Sequence, residues 1–369
     1  WDYSTSYYQQ TDVDQLRYMI TVQPAPHPLS RRGTVVFHDD FNGHTLDKNK
    51  WYHEVTANGG GNGEFQVYTA EAANTFVRNG VLYLKPVSII CMYSSLYFVL
   101  NVLMNVKCMF SAQFGSCTAS WENGCLRKGS QHNIPPIMSS KIYSKATIRH
   151  GRVDVVAQIP KGDWLWPAIW MLPQGTNWKY GGWPRSGEID IMESRGNVQL
   201  NSGGSPQGAA RVLSTIHLGT DGGGGHRQHG EGKVASNGKT WADGYHTYSL
   251  DWTENHIKMM IDNQPVLAWN TPSEGYFKHE NLGGSNIWSS GGKDAPFDTN
   301  FALILNVAVG GDRGYFPDGW NNGGNGAKPW TNFASTAMMD FWNNRQQWQK
   351  TWHGDDVAMK IKSVTMTQY

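Results

Sequence analysis

From Thr34 onward, apolar and polar residues alternate in short runs separated by Gly, Asn, Asp and Pro. Such alternation marks antiparallel strands with one buried face. Val35 and Phe37 open the pattern, and Phe76 to Leu84 crosses Asn79-Gly80, a hairpin signal. Val153, Val155, Ala157 and Ile159 keep one apolar face, with Asp154 and Gln158 on the other. Tyr248 to Trp252 and Ile257 to Ile261 flank a Thr-Glu-Asn-His turn. A second turn, Asp262-Asn263-Gln264-Pro265, leads back into Val266 to Trp269, and Met359 to Met366 reads as the closing strand. Helical spacing is found from Ala337 to Trp348, where Met338, Phe341, Arg345 and Trp348 recur. The expectation is an all-β fold, a sandwich or a barrel, with residues 34–369 forming one domain.

Two segments depart from this pattern. Residues 1–33 are polar, with Pro24, Pro26 and Pro28 ahead of Arg31-Arg32-Gly33, and read as an N-terminal arm or leader. The chain starts at Trp1, without Met or a signal-peptide profile, so a processed or trimmed chain is expected, and its expected location is extracellular, as a secreted protein. Residues 87–106 carry no charge, long enough for a membrane helix. Segments on both sides belong to the same sandwich, however, and one crossing would separate them. The expectation is therefore an atypical apolar insertion near 87–110 and no membrane partner.

Composition narrows the partners. The 369 residues include 42 Gly and 17 Trp, only 17% are charged, and the net charge is +1. That balance argues against nucleic acid or an anionic membrane surface. Many aromatic rings on a nearly neutral chain suit a neutral sugar polymer, although any single Trp is more often core. Of four Cys, Cys117 and Cys125 close a short loop and are read as a disulfide, implying an oxidising compartment. Cys91 and Cys108 are left unassigned. His226-x-x-His229 lacks a third ligand nearby, and Gly222 to Gly225 lacks the context of a phosphate loop, so no metal or nucleotide site is expected. Ser194 lacks the Gly-x-Ser-x-Gly elbow of an esterase.

The chemistry concentrates in Ser186-Gly187-Glu188-Ile189-Asp190-Ile191-Met192-Glu193-Ser194. Glu188 and Asp190 share a strand face because side chains alternate. A regular strand would turn Glu193 to the opposite face, and one extra residue at Ile191–Met192, a β-bulge, would return it. The two Glu Cα atoms then lie roughly 13 Å apart at about 3.3 Å per step. Leaning together, their carboxyls can approach the roughly 5–5.5 Å of a retaining glycosidase.

The flanks carry a family resemblance. Trp183-Pro184-Arg185 before the acidic run, and Trp164-Leu165-Trp166-Pro167-Ala168-Ile169-Trp170-Met171-Leu172-Pro173 upstream, resemble the laminarinases of glycoside hydrolase family sixteen. Gly60 to Thr69, Ser214 to Gly219, Tyr245 to Trp252 and Leu303 to Gly311 agree. The resemblance runs from about Thr34 to the C-terminus and extends to the non-catalytic β-glucan recognition proteins. It implies a two-sheet jelly roll with a concave substrate cleft and retaining endo-hydrolysis of β-1,3-glucosidic bonds in a β-glucan partner. Glu188 would be the nucleophile, Glu193 the acid/base and Asp190 their support. Trp183, Trp166, Trp170, Asn62, Glu64 and His217 would contact substrate, while Lys141 stands where relatives often have a cleft Arg. The resemblance implies a monomer that requires no cofactor, and leaves room for a structural calcium of unnamed ligands. Two other readings remain: a β-glucan recognition protein that does not cut, and a β-1,3-glucan transglycosylase.

Overall fold

A computed structural model describes residues 33–88, 107–109, 115–128, 135–175 and 177–369. The N-terminal arm, most of the apolar insertion and the Cys91 and Cys108 side chains lie outside the described residues.

Two large antiparallel sheets make a jelly-roll sandwich. The sheet that matters for function has seven strands: β1 (Trp51–His53), β2 (Lys141–Ile148), β3 (Leu165–Pro173), β4 (Glu188–Ser194), β5 (Arg211–Gly219), β6 (His226–Val234) and β7 (Phe301–Val309). Their order across the sheet is β6-β5-β4-β3-β7-β2-β1. The second sheet is built on Gly151–Gln158, His246–Thr253, His256–Ile261, Gln264–Asn270 and Met359–Gln368. The hairpin Thr75–Arg78 with Val81–Leu84 and the strand Thr34–Asp39 complete it.

Period-two burial explains the layering. In Gly151–Gln158, Val153, Val155 and Ala157 are fully buried while Asp154, Val156 and Gln158 are half-exposed. In β5, Val212, Ser214, Ile216 and Leu218 point inward, leaving Arg211, Leu213, Thr215 and His217 on the open face. Ile142, Ile169, Ile189, Ile216, Leu303 and Leu305 meet Leu250, Trp252, Met259, Ile361 and Val364 between the sheets. Each buried aliphatic side chain there contributes roughly 1.5–3 kcal/mol. Strand β6, at the sheet edge, is polar on both faces and carries Arg227, Glu231 and Lys233.

The local signals resolve with two adjustments. Asn79 and Gly80 form the expected turn, both with positive φ. Asp262 and Asn263 also have positive φ, and the strand resumes at Gln264, so this turn is two residues rather than four. The helix does not run unbroken from Ala337 to Trp348. It divides into Ala337–Asn343 and Arg345–Trp348 at Asn344, whose Nδ2 donates to the Asp340 carbonyl at 2.9 Å. A side chain that bonds its own backbone competes with helix propagation. Cys117 and Cys125 are disulfide-bonded, with Cα atoms 5.6 Å apart. Among the described residues no helix is long and apolar enough to cross a membrane.

Gly310 ends β7 in a left-handed conformation, φ 60°, where a Cβ would lie 2.2 Å from the Phe65 ring. Gly310→Ala should cost roughly 2–4 kcal/mol, from left-handed strain plus overpacking. A thermal melt checks this, and an unchanged midpoint would contradict it.

Candidate active site

Strand β4 pairs with β3 through Trp170–Asp190, Met171–Ile189, Ile169–Met192 and Ala168–Glu193, so Ile191 has no partner. Its pairing with β5 slips between Asp190 and Glu193. The extra residue therefore sits at Ile191–Met192, and Glu188, Asp190 and Glu193 all reach the open face. The bulge is tied down from β5: Ser214 Oγ donates to the Ile191 carbonyl at 2.8 Å. Only a small hydroxylic side chain at that fully buried position both fits and satisfies the displaced carbonyl.

Each carboxyl has its own neighbour. Trp183 Nε1 donates to Glu188 Oε2 at 2.5 Å, and Trp166 Nε1 donates to Glu193 Oε1 at 2.8 Å. Asp190, 3% exposed, lies 3.0 Å from His217 Nε2. Burial pushes all three acids up. Glu188 is raised from 4.5 to about 8, by desolvation first and the Asp190 charge second, against the lowering effects of His217 and the Trp183 N–H. Asp190 is held well above the usual carboxylate range by burial and then by Glu193. Glu193 is also raised by burial, with His217, the Trp166 N–H and Arg195 pulling the other way. Like charges in one desolvated patch cannot all ionise together, so the trio retains protons that a free carboxylate would have lost.

A second layer fixes these neighbours, and much of it escaped the sequence reading. Behind Glu193, Trp166 stacks on Tyr315 with centroids 3.6 Å apart and planes at 4°. The Tyr315 hydroxyl donates to the Ser194 carbonyl at 3.0 Å. Arg195 covers the far face of this stack, its Cζ 4.1 Å from the Tyr315 centroid, and donates to the Tyr315 carbonyl at 2.6 Å. Arg195 follows the acidic motif by two residues and could have been flagged as a nearby cation; Tyr315 has no local signal. Beside Glu188, His217 Nδ1 lies 3.0 Å from His226 Nε2, and Trp183 leans on His226 at 4.9 Å. His226 and His229 separate: His229 bonds Glu280 and stacks on Trp269. Among the described residues, Glu188, Asp190 and His217 have donor atoms within 4.8 Å of one another, a spacing that could hold a metal, although His217 Nε2 already faces Asp190.

The remaining candidates spread away from the trio. Trp183 is 43% exposed, presenting a ring to solvent, whereas Trp166 is almost buried. Trp170 Nε1 donates to Asn306 Oδ1 at 2.7 Å; Asn306 Nδ2 donates to the Tyr68 hydroxyl, which donates to Glu64. Glu64 is buried and also accepts from Gln66 at 2.6 Å, so it anchors this network instead of facing solvent. Asn62 is half-buried, with Nδ2 3.3 Å from the Gly60 carbonyl. Lys141 is buried, its Nζ 4.9 Å from the Trp170 ring centroid and 3.5 Å from Glu54.

The family model for glycosyl hydrolases family 16 matches residues 110–297. The β-1,3-glucan-binding protein of Penaeus monodon is 38% identical over 340 residues, 91% of this chain and 88% of that one. The chain belongs to family 16. The glucan endo-1,3-β-glucosidase of Cryptopygus antarcticus is 31% identical over 74% of this chain and 79% of that protein. Longer relatives are spanned in part: the chain covers 64% of β-1,3-glucan-binding protein 1 of Manduca sexta. The laminarinase structure from Rhodothermus marinus superposes with a TM-score of 0.55 over 91% of this chain and 98% of that one, at 23% identity, a likeness of fold.

The desolvated Glu188 has a thermodynamic consequence. A carboxyl raised from 4.5 to about 8 binds more protons folded than unfolded between those values. Its favourable contribution is complete below pH 4.5 and is lost as pH rises through 8. Glu188→Gln should therefore melt higher than the unsubstituted chain, with a gap that widens from pH 5 to pH 8. A constant or reversed gap would contradict the raised value.

Proposed function

We propose that the chain is a secreted, monomeric, retaining endo-β-1,3-glucanase acting on laminarin-type β-glucans. The observation that carries this reading is the bulged strand that brings Glu188, Asp190 and Glu193 to one open face, each Glu held by an indole N–H. In the proposed double displacement, ionised Glu188 attacks the anomeric carbon while Glu193 donates its proton to the leaving glucan oxygen. Glu193, now ionised, takes a proton from water, which cleaves the glycosyl ester and frees Glu188. Asp190, hydrogen-bonded to Glu188 and facing His217, buffers the charge that moves between them. The Trp183 N–H favours ionised Glu188, and Trp183's exposed ring offers a surface for the sugar at the cleaved bond.

A non-cutting reading has support in the Penaeus monodon relative, named for binding β-1,3-glucan. Both glutamates and their donors are in place here, which favours hydrolysis. A transglycosylase would share the covalent step and differ in accepting a sugar instead of water.

Glu188→Ser should abolish release of reducing sugar from laminarin while glucan binding survives; activity that persists removes Glu188 as nucleophile. A product profile on laminarin, lichenan and agarose tests the linkage, and cleavage of agarose alone would overturn it. Trp183→Phe removes a donor that lowers the Glu188 pKa, so the acidic limb of kcat/KM should move to higher pH. A limb that stays in place would remove Trp183 from that role.

A further inference from the structure

We propose that Tyr52 and Tyr143 form a distal β-glucan subsite at the outer edge of the open face, in line with the acidic trio. The inference rests on the β-glucan reading above. Its basis is register. Asp190 pairs with Thr215 on one side and Trp170 on the other. Trp170 pairs with Ile304, Ile304 with Tyr143, and Tyr143 with Tyr52. Thr215, Asp190, Trp170, Ile304, Tyr143 and Tyr52 therefore form one transverse row across six strands. Partners directly opposite in antiparallel strands share a face, and Tyr52 is turned to the open one because Trp51 beside it is buried in the core. Three and four interstrand steps of about 4.8 Å place Tyr143 and Tyr52 roughly 14 and 19 Å from the catalytic strand, distances that several linked sugars span.

The two rings are built for stacking. Their centroids are 5.0 Å apart with planes at 10°, and Tyr52 keeps 42% of its surface exposed. Tyr143 is fixed by its hydroxyl, which donates to Glu54. Lys141 bridges the gap to the centre, its Nζ 4.9 Å from the Trp170 centroid and 5.5 Å from that of Tyr143. The row thus continues as ring, cation and paired rings from the cleavage point to the sheet edge. An electron-rich ring face attracts the polarised C–H face of a glucosyl unit and shields it from water. The ligand class is a neutral β-glucan chain long enough to reach from Asp190 to β1. A purely structural cross-strand pair would affect stability alone.

The test compares long and short substrates. For Tyr52→Ala, the ratio of kcat/KM on laminarin to that on laminaritetraose should fall roughly 2- to 10-fold, the range expected for one stacked ring. Tyr52→Phe, which keeps the ring, should restore it. The same ratio, read as dissociation constants by calorimetry in a Glu188→Ser background, decides the subsite even if the chain does not hydrolyse glucan. Absence of cleavage by the unsubstituted chain would count against the hydrolase reading alone. An unchanged ratio in Tyr52→Ala, or equal losses on both substrates, would overturn the subsite.

Discussion

The constraint on which the site depends is the crowding of three carboxyls, one buried and two half-buried, on one face of one strand. Desolvation and mutual repulsion both oppose their ionisation, so the fold must supply donors directed at each acid. Trp183, Trp166 and His217 do so from three different elements. The Trp166 contact could not form on a regular strand, because Glu193 would face the core. The Ser214 hydroxyl that caps the bulge carbonyl therefore underlies the place of Glu193 beside the other two acids.

The donors are themselves restrained. Trp166 is clamped between Glu193 and the Tyr315–Arg195 stack, and Trp170 is tied through Asn306 and Tyr68 to buried Glu64. These chains of contact join segments more than a hundred residues apart, such as Arg195 to Tyr315 and Tyr68 to Asn306. Sites held within a narrow range of geometry need such support from rigid elements. Here strands β3, β4 and β7 provide it, with β7 buried along its full length.

Much of this was legible in the chain. Period-two alternation located the strands from Val153 to Ala157 and from Tyr248 to Trp252, since each has one wet face. The three-acid spacing, with Ile and Met between, pointed to the bulge because only a slip in register spares Glu193 from the core. What stayed hidden depends on contacts distant in sequence. Tyr315 sits in a loop, and neither its stacking on Trp166 nor the burial of Glu64 leaves a periodic trace. The helix near the C-terminus was read as continuous because apolar spacing persists through Asn344, while the break comes from that residue's own side chain.

Strand β6 ends the seven-stranded sheet, and an edge strand is a template on which another copy of a chain can add itself. That margin carries Arg227, Glu231 and Lys233, while His226 and His229 are held by His217 and Glu280. Charged side chains on an edge strand disfavour such pairing.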